Sequence, residues 1–267
     1  MSRAIRAVAA IAAAAVASAF ASAAHAGRSC EQRPPTALAV TQGMALAERT
    51  AARLTQTGAD VVVIARAGQN LSAYGLRYSH LGFAYREGEG RNAVWRVVHK
   101  LNECGTAHAS LYRQGLGEFF LDDPWQYEAA VVVPTARVQA HLRALLADNV
   151  AVARLDTPAY SVVAYPWSSR YQQSNQWAIE TIALAEEPAA VTRERAQAWL
   201  RLHGYEPTTL RLTAFTRLGA RLTRANVAFD DHPNEKRFSD RIETVTVDSV
   251  FRWLERDGLA GPAQVIR

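Results

Sequence analysis

Residues 78–101 read YSHLGFAYREGEGRNAVWRVVHKL, and this stretch decides the fold class. Two runs within it, residues 78–85 and 93–101, are rich in aromatic and β-branched side chains, as is typical of strands. The segment between them is rich in glycine and charged residues, which indicates a tight connection. The stretch therefore predicts a hairpin of two antiparallel strands, with His80 on the first strand and His99 on the second.

The sequence on either side of this hairpin predicts further strands and several helices. Short β-branched or apolar runs indicate strands, and apolar residues at helical spacing indicate helices. The predicted elements are strands at 61–64, 128–133 and 160–165, and helices at 36–57, 135–146, 174–187 and 192–203. We therefore expect an α+β fold, in which helices are packed against one side of an antiparallel sheet.

The sequence pattern changes at Pro188. Beyond this residue come a helix, arginine-rich irregular or β segments, a polar turn and a final strand-then-helix segment. We therefore predict two parts after the N-terminal 26 residues. They are a main α+β domain over residues 27–187 and a smaller α/β extension over residues 188–267 that packs on it.

The first 26 residues have the pattern of a secretory signal peptide. Arg3 and Arg6 form a basic start, an apolar run follows over residues 7–20, and the small residues Ala24 and Ala26 flank a cleavage site. We expect cleavage after Ala26 and a periplasmic or secreted protein. The alternative is an uncleaved membrane anchor, although the apolar run is short and mostly alanine. No later segment is predicted to cross a membrane.

Composition narrows the range of partners. The formal net charge is +5, and the arginines are scattered along the chain instead of forming a concentrated basic face. Because nucleic-acid binding needs such a face, we expect no nucleic-acid partner. After export, the accessible partners are an envelope small molecule, a lipid or a cell-wall peptide. The sequence predicts no cofactor, and it leaves the oligomeric state open.

Two cysteines, Cys30 and Cys104, remain after the predicted cleavage. An even number of cysteines in an oxidising compartment favours one disulfide, which would tie the N-terminal segment to the middle of the domain. The alternative is two unpaired thiols, since sequence does not give the distance between them.

Three polar residues are candidates for a functional site. His80 and His99 lie on neighbouring predicted strands, where their rings can meet if the register allows. Ser174 begins a predicted helix, whose N-terminal N–H groups stabilise negative charge. Each residue also has a structural interpretation: a buried histidine with hydrogen-bond partners, a histidine at the rim of the sheet, and a serine that caps a helix.

The order of these residues resembles the circularly permuted NlpC-type, papain-like fold, which includes the lecithin:retinol acyltransferase-like proteins. The matching segments are SHLGF, RVVH and QSNQW, within residues 58–187. The resemblance implies that His80 is a general base, that His99 orients it, and that Ser174 occupies the position of the usual cysteine. The segments SHLGF, SNQWAIE and DDHP also resemble a bacterial family known only as domain of unknown function 2145, which implies no activity.

The serine in place of the usual cysteine leads to two hypotheses on function. Unlike a thiol, a hydroxyl does not ionise near neutral pH and must lose its proton to histidine during attack. The first hypothesis is a serine-dependent hydrolase or acyltransferase that acts on amide or ester bonds. The second is a non-catalytic module that binds an envelope ligand. A structural or assembly role in the envelope is a third hypothesis. The residues predicted to line a cleft are Tyr165, Trp167, Tyr171 and Asn175.

A second polar cluster lies in the segment FDDHPNEKRF. Its possible ligands for a divalent cation are Asp230, Asp231, His232 and Glu235. Their spacing matches no specific metal motif, and such residues are also common in turns. We therefore predict a structural or ligand-contacting turn and no metal site.

Overall fold

A computed structural model describes residues 34–267 of the chain, except Glu89 and Asp123. The predicted signal peptide and Cys30 lie outside the described residues. In the part that is described, no helix has the length and apolar character needed to span a membrane. No cysteine among the described residues is free. The pairing of Cys104 with Cys30 stays a prediction, because Cys30 lies outside the described residues.

Within residues 34–267, the main sheet has six strands in the order β4-β3-β2-β1-β5-β8, and all neighbours are antiparallel. Its strands are β1 Val61–Arg66, β2 His80–Glu87, β3 Val94–Asn102, β4 Ala109–Gly115, β5 Ala129–Val132 and β8 Gln264–Ile266. A second, two-stranded sheet pairs β6 Thr208–Arg211 with β7 Arg241–Thr244. The predicted β2–β3 hairpin and the α+β class are confirmed.

The strand predicted over residues 160–165 is wrong, because this segment forms turns. Its backbone hydrogen bonds go to scattered partners instead of one neighbouring strand: the Tyr160 N–H donates to the Ala107 carbonyl and the Val162 N–H to the Asn226 carbonyl. The aromatic and β-branched residues of this segment therefore do not form a strand.

Helices pack around the sheet. They are α1 Ala37–Gln56, α2 Leu116–Phe120, α3 Ala136–Ala147, α4 Asn149–Ala153, α5 Ser174–Glu186, α6 Arg193–Leu202, α7 Ala214–Thr223, α8 Asn234–Arg237 and α9 Val247–Arg256. Threonine side chains accept a backbone N–H at the start of α1, α3, α6, α7 and α9, which fixes where these helices begin.

Both faces of the sheet are covered, which corrects the prediction that helices lie on one side. On β2, Leu81 and Phe83 point to a core that contains Trp177 of α5, and we call this side the α5 face. Ala84 points the opposite way, to a second core that contains Phe119 of α2 and side chains of α1, and we call this side the α1 face. Side chains alternate between the faces along each strand, so even-numbered residues of β2 lie on the α1 face.

The C-terminal part contributes to the main core and to the main sheet. Trp253 of α9 is buried in the same cluster as Trp177, and its ring contacts Tyr205 at a centroid distance of 5.9 Å. Strand β8 pairs with β5 along the edge of the main sheet. The domain boundary at residue 187 stays a prediction.

Candidate functional site

The two predicted site histidines lie next to each other on the α1 face. His80 is the first residue of β2, His99 lies on β3, and the His80 Nε2 to His99 Nδ1 distance is 2.8 Å. Gly82 makes room for this pair, since a Cβ at position 82 would come within 3.0 Å of the His99 Cβ. The hairpin thus places the two imidazoles in direct hydrogen-bond contact.

Both histidines are buried and favour the neutral form. His99 is fully buried, and 9% of His80 is exposed. Burial, with the nearby Arg66 cation, lowers the pKa of His99 to about 4, against a smaller opposing contribution from Gln114. Burial is also the main cause that lowers the pKa of His80 well below its ordinary value, and the Arg66 and His99 charges act in the same direction. At neutral pH each ring therefore carries one proton.

The hydrogen-bond partners of the histidines fix the positions of these protons. Gln114 donates from Nε2 to the carboxylate of Glu118 at 3.0 Å, so its Oε1 faces His99. The His99 Nε2 lies 2.7 Å from that oxygen and must donate to it. A neutral His99 then accepts at Nδ1, and His80 must donate from Nε2. We call this chain of four residues, from Glu118 to His80, the histidine relay.

The relay leaves Nδ1 of His80 without a proton. In the part of the chain that is described, this nitrogen makes no side-chain hydrogen bond, and it is not among the enclosed polar atoms that lack a partner. It therefore lies at the accessible part of His80 and presents a lone pair. Such a nitrogen can accept a hydrogen bond from a hydroxyl or amide N–H group.

Helix α2 holds the relay in place. The Phe119 ring lies 6.0 Å from the His80 ring and 5.1 Å from the His99 ring, and the Arg66 guanidinium lies over it at 4.8 Å. Arg66 also donates to the Phe119 carbonyl and forms an ion pair with Asp122. Sequence reasoning missed Arg66, Gln114 and Phe119, because only the folded chain shows that they lie on the same face as the histidines.

Ser174 lies on a helix that covers the opposite face of the sheet from the two imidazoles. It is the first residue of α5, as predicted, but the cap is Gln173, whose side chain accepts the Asn175 N–H. Helix α5 packs on the α5 face, whereas the imidazoles point to the α1 face. Ser174 is buried. Burial raises the pKa of the Tyr160 hydroxyl to about 12, and the neighbouring Ser174 side chain opposes this rise. Among the described residues, no hydrogen bond joins Ser174 to His80 or His99.

Asn175 is the residue of α5 that reaches the histidine strand. Its Oδ1 accepts the backbone N–H of Leu81 at 2.9 Å, next to His80, and its Nδ2 donates to the Val245 carbonyl at 3.3 Å. Its amide is buried and joins β2, α5 and the C-terminal part. A carboxamide is not one of the side chains that act as covalent nucleophiles. Asn175 was predicted to line a cleft. In the structure, its buried amide is hydrogen-bonded to Leu81 and Val245.

The aromatic residues predicted to line a cleft pack elsewhere. The Tyr165 ring lies 5.1 Å from the ring of His232, and Trp167 lies 6.0 Å from Tyr205. The Arg170 guanidinium lies over the Tyr171 ring at 5.3 Å. These contacts place Tyr165 and Trp167 against the C-terminal part of the chain. The structure does not gather them around the histidine relay.

The polar turn near Asp231 joins parts of the fold. Asp231 accepts the Tyr165 N–H at 2.7 Å, and its other oxygen lies 2.9 Å from Nδ1 of His232. Nε2 of His232 lies 2.9 Å from the carbonyl of Glu243 on β7. Within the described residues, no three His, Cys, Asp or Glu side chains come together so that they could hold a metal ion. The Asp231–His232 pair therefore links the turn segment to Tyr165 and to β7.

Fold and site together define an α+β protein with a buried histidine relay on one face of an antiparallel sheet. The chain belongs to the bacterial family DUF2145, described as uncharacterized protein conserved in bacteria, whose sequence profile matches residues 53–254. No curated protein matches the chain, and no solved structure matches it. The papain-like resemblance therefore stays a prediction.

Proposed function

We propose that this chain is an exported protein that binds an envelope ligand at the His80 end of β2 without chemically changing it. The observation that carries the proposal is the pattern of hydrogen bonds in the histidine relay, from which an unprotonated Nδ1 of His80 follows. A ligand with a hydroxyl or amide N–H group would donate to this nitrogen. An envelope small molecule, a lipid headgroup and a cell-wall peptide all carry such groups.

Two features support binding over catalysis. A general base works best when its pKa lies near the operating pH, but burial lowers the pKa values of His80 and His99 far below that range. In addition, Ser174 begins α5, which packs on the α5 face, whereas the imidazoles point to the α1 face. The alternative, a hydrolase or acyltransferase with Ser174 as its nucleophile, would require the Ser174 hydroxyl to reach an imidazole that points to the opposite face.

The binding proposal predicts a ligand-dependent rise in melting temperature. Two preparations would be tested: a muramidase digest of peptidoglycan, and an envelope lipid extract in detergent. At saturating ligand we expect one of them to raise the melting temperature by about 5 °C. His80→Ala should abolish this shift, measured against the variant's own melting temperature. Ser174→Ala should retain it.

Labelling with a fluorophosphonate probe separates binding from catalysis. We expect no labelling of the wild-type protein, and no turnover of the digest or the lipid extract. Labelling that Ser174→Ala removes, or turnover that it abolishes, would establish the hydrolase alternative. If neither preparation shifts the melting temperature, the proposed binding site is wrong.

Export is proposed from the signal-peptide pattern, and it has its own test. Mass spectrometry of the protein from fractionated cells should find a mature N-terminus at Gly27 in the periplasm or medium. The same sample should yield a peptide that links Cys30 to Cys104 and disappears on reduction. A cytoplasmic protein that retains residues 1–26 would contradict this part of the proposal.

A further inference from the structure

Helix α7 turns its apolar side outward. Phe215, Leu218 and Leu222 are spaced at i, i+3 and i+7, so they form one stripe along the helix. Phe215 is 88% exposed, and the two leucines are also exposed. The opposite side, which faces the protein, carries the buried Arg217 and the half-buried Ala220. In an ordinary surface helix, the apolar side faces the protein and the polar side faces the solvent.

The orientation of α7 is fixed by its polar inner side. Arg217 donates to the Leu212 carbonyl and pairs with Asp240 at 2.6 Å. Thr213 caps the helix by accepting the Thr216 N–H at 3.3 Å. Rotating the helix to bury the apolar stripe would break the Arg217 contacts and expose Ala220 instead. The outward stripe therefore belongs to the folded state.

Along the chain on either side of the stripe, the charge has one sign. No acidic residue occurs between Glu206 and Asp230, whereas this interval contains four arginines. Three of them are exposed, namely Arg211, Arg221 and Arg224. A further exposed aromatic residue, Phe238, lies two positions before the Asp240 that pairs with α7.

We propose that α7 is a membrane-surface helix, which inserts Phe215, Leu218 and Leu222 into the interfacial layer of an anionic phospholipid bilayer. Apolar side chains flanked by arginines are the features that bind a helix parallel to such a surface. The arginines complement lipid phosphates, whereas in a face-to-face pair of two copies they would repel one another. The proposal is independent of the ligand site at His80.

Vesicle co-sedimentation of the purified full chain tests this proposal. We expect binding to phosphatidylglycerol vesicles and much weaker binding to phosphatidylcholine vesicles. The triple variant F215Q/L218Q/L222Q should bind phosphatidylglycerol vesicles at least about tenfold more weakly. R221Q/R224Q should weaken binding about 30-fold.

A matched triple variant controls for general loss of apolar surface. Leu38, Val150 and Leu202 are also exposed helical residues, and L38Q/V150Q/L202Q should change vesicle binding less than about twofold. All variants keep the same N-terminal residues, so any contribution of the apolar run over residues 7–20 to vesicle binding is the same in each. Equal binding to both lipids, or unchanged binding of the α7 triple variant, would overturn the proposal. So would self-association that the α7 substitutions abolish without any vesicle binding, because the stripe would then be a protein interface.

Discussion

Glu180→Ala is expected to lower the free energy of unfolding by about 3–5 kcal/mol, because it removes the acceptor at the centre of a buried charged network. Glu180 is fully buried on α5. Its two oxygens accept from Gln172 at 2.6 Å, from Arg193 at 2.8 Å and from Gln197 at 2.8 Å. Without this carboxylate, the Arg193 guanidinium would stay buried with its charge uncompensated.

The network extends from Glu180 to a buried lysine on β3. The other end of the Gln172 amide accepts from Lys100 at 2.9 Å, and Lys100 also forms an ion pair with Asp156. Arg193 donates to the carbonyls of Ser169 and Tyr171 in the loop before α5. The network thus joins the sheet, this loop, α5 and α6, which is why a single substitution has a large effect.

Urea denaturation measures this effect directly. Glu180→Ala should lower the unfolding midpoint while the slope stays unchanged, as expected for a stability change without a change in compactness. Glu206 is an exposed glutamate, so Glu206→Ala is the matched control and should change stability by less than about 0.5 kcal/mol. A loss below about 1 kcal/mol for Glu180→Ala would contradict the proposed importance of the network.

Acidification from pH 7 to pH 4 should lower the unfolding free energy by about 3 kcal/mol through His99 alone. Burial lowers the pKa of His99 to about 4 in the folded state, whereas an unfolded histidine titrates near 6.5. Between these values the unfolded chain binds more protons, so stability rises with pH and falls as the pH drops through this window. His80 contributes in the same direction.

The pH effect is measured by comparing wild type with His99→Gln. The variant removes the titrating ring, so its unfolding free energy should depend less steeply on pH between 6.5 and 4. Glu128 affects wild type and variant alike, and only at the lower end of this window. Burial raises its pKa, but hydrogen bonds from Arg77, Tyr78 and Arg267 outweigh burial and lower it to about 2. Its stabilising contribution is lost only below about pH 4.5. Parallel pH profiles for wild type and variant would contradict the buried, neutral state of His99.

The sequence was sufficient to predict the histidine pair but not its surroundings. The β2–β3 hairpin follows from local strand patterns and a glycine-rich connection, and it places His80 and His99 on neighbouring strands. The side of the sheet that α5 covers depends on packing between segments far apart in sequence. Both faces are apolar, so the pattern alone did not exclude placing Ser174 next to His80.

The buried polar network escaped prediction for a related reason. Gln172 and Glu180 read as polar residues of a loop and a helix, and their partners Lys100 and Arg193 lie far away along the chain. Only the folded chain shows that all of these side chains are buried together. By contrast, the start of α5 at Ser174 was predicted correctly, because helix boundaries depend on neighbouring residues.

Nitrogen-15 NMR of the histidine rings tests most directly whether His80 presents an unprotonated Nδ1. Spectra at pH 7, assigned with His80→Ala and His99→Gln, report which ring nitrogen carries the proton. Both rings should be neutral and protonated at Nε2, as the contacts of His99 with Gln114 and His80 require. A His80 ring protonated at Nδ1, or at both nitrogens, would contradict the relay and remove the acceptor on which the proposed ligand site depends.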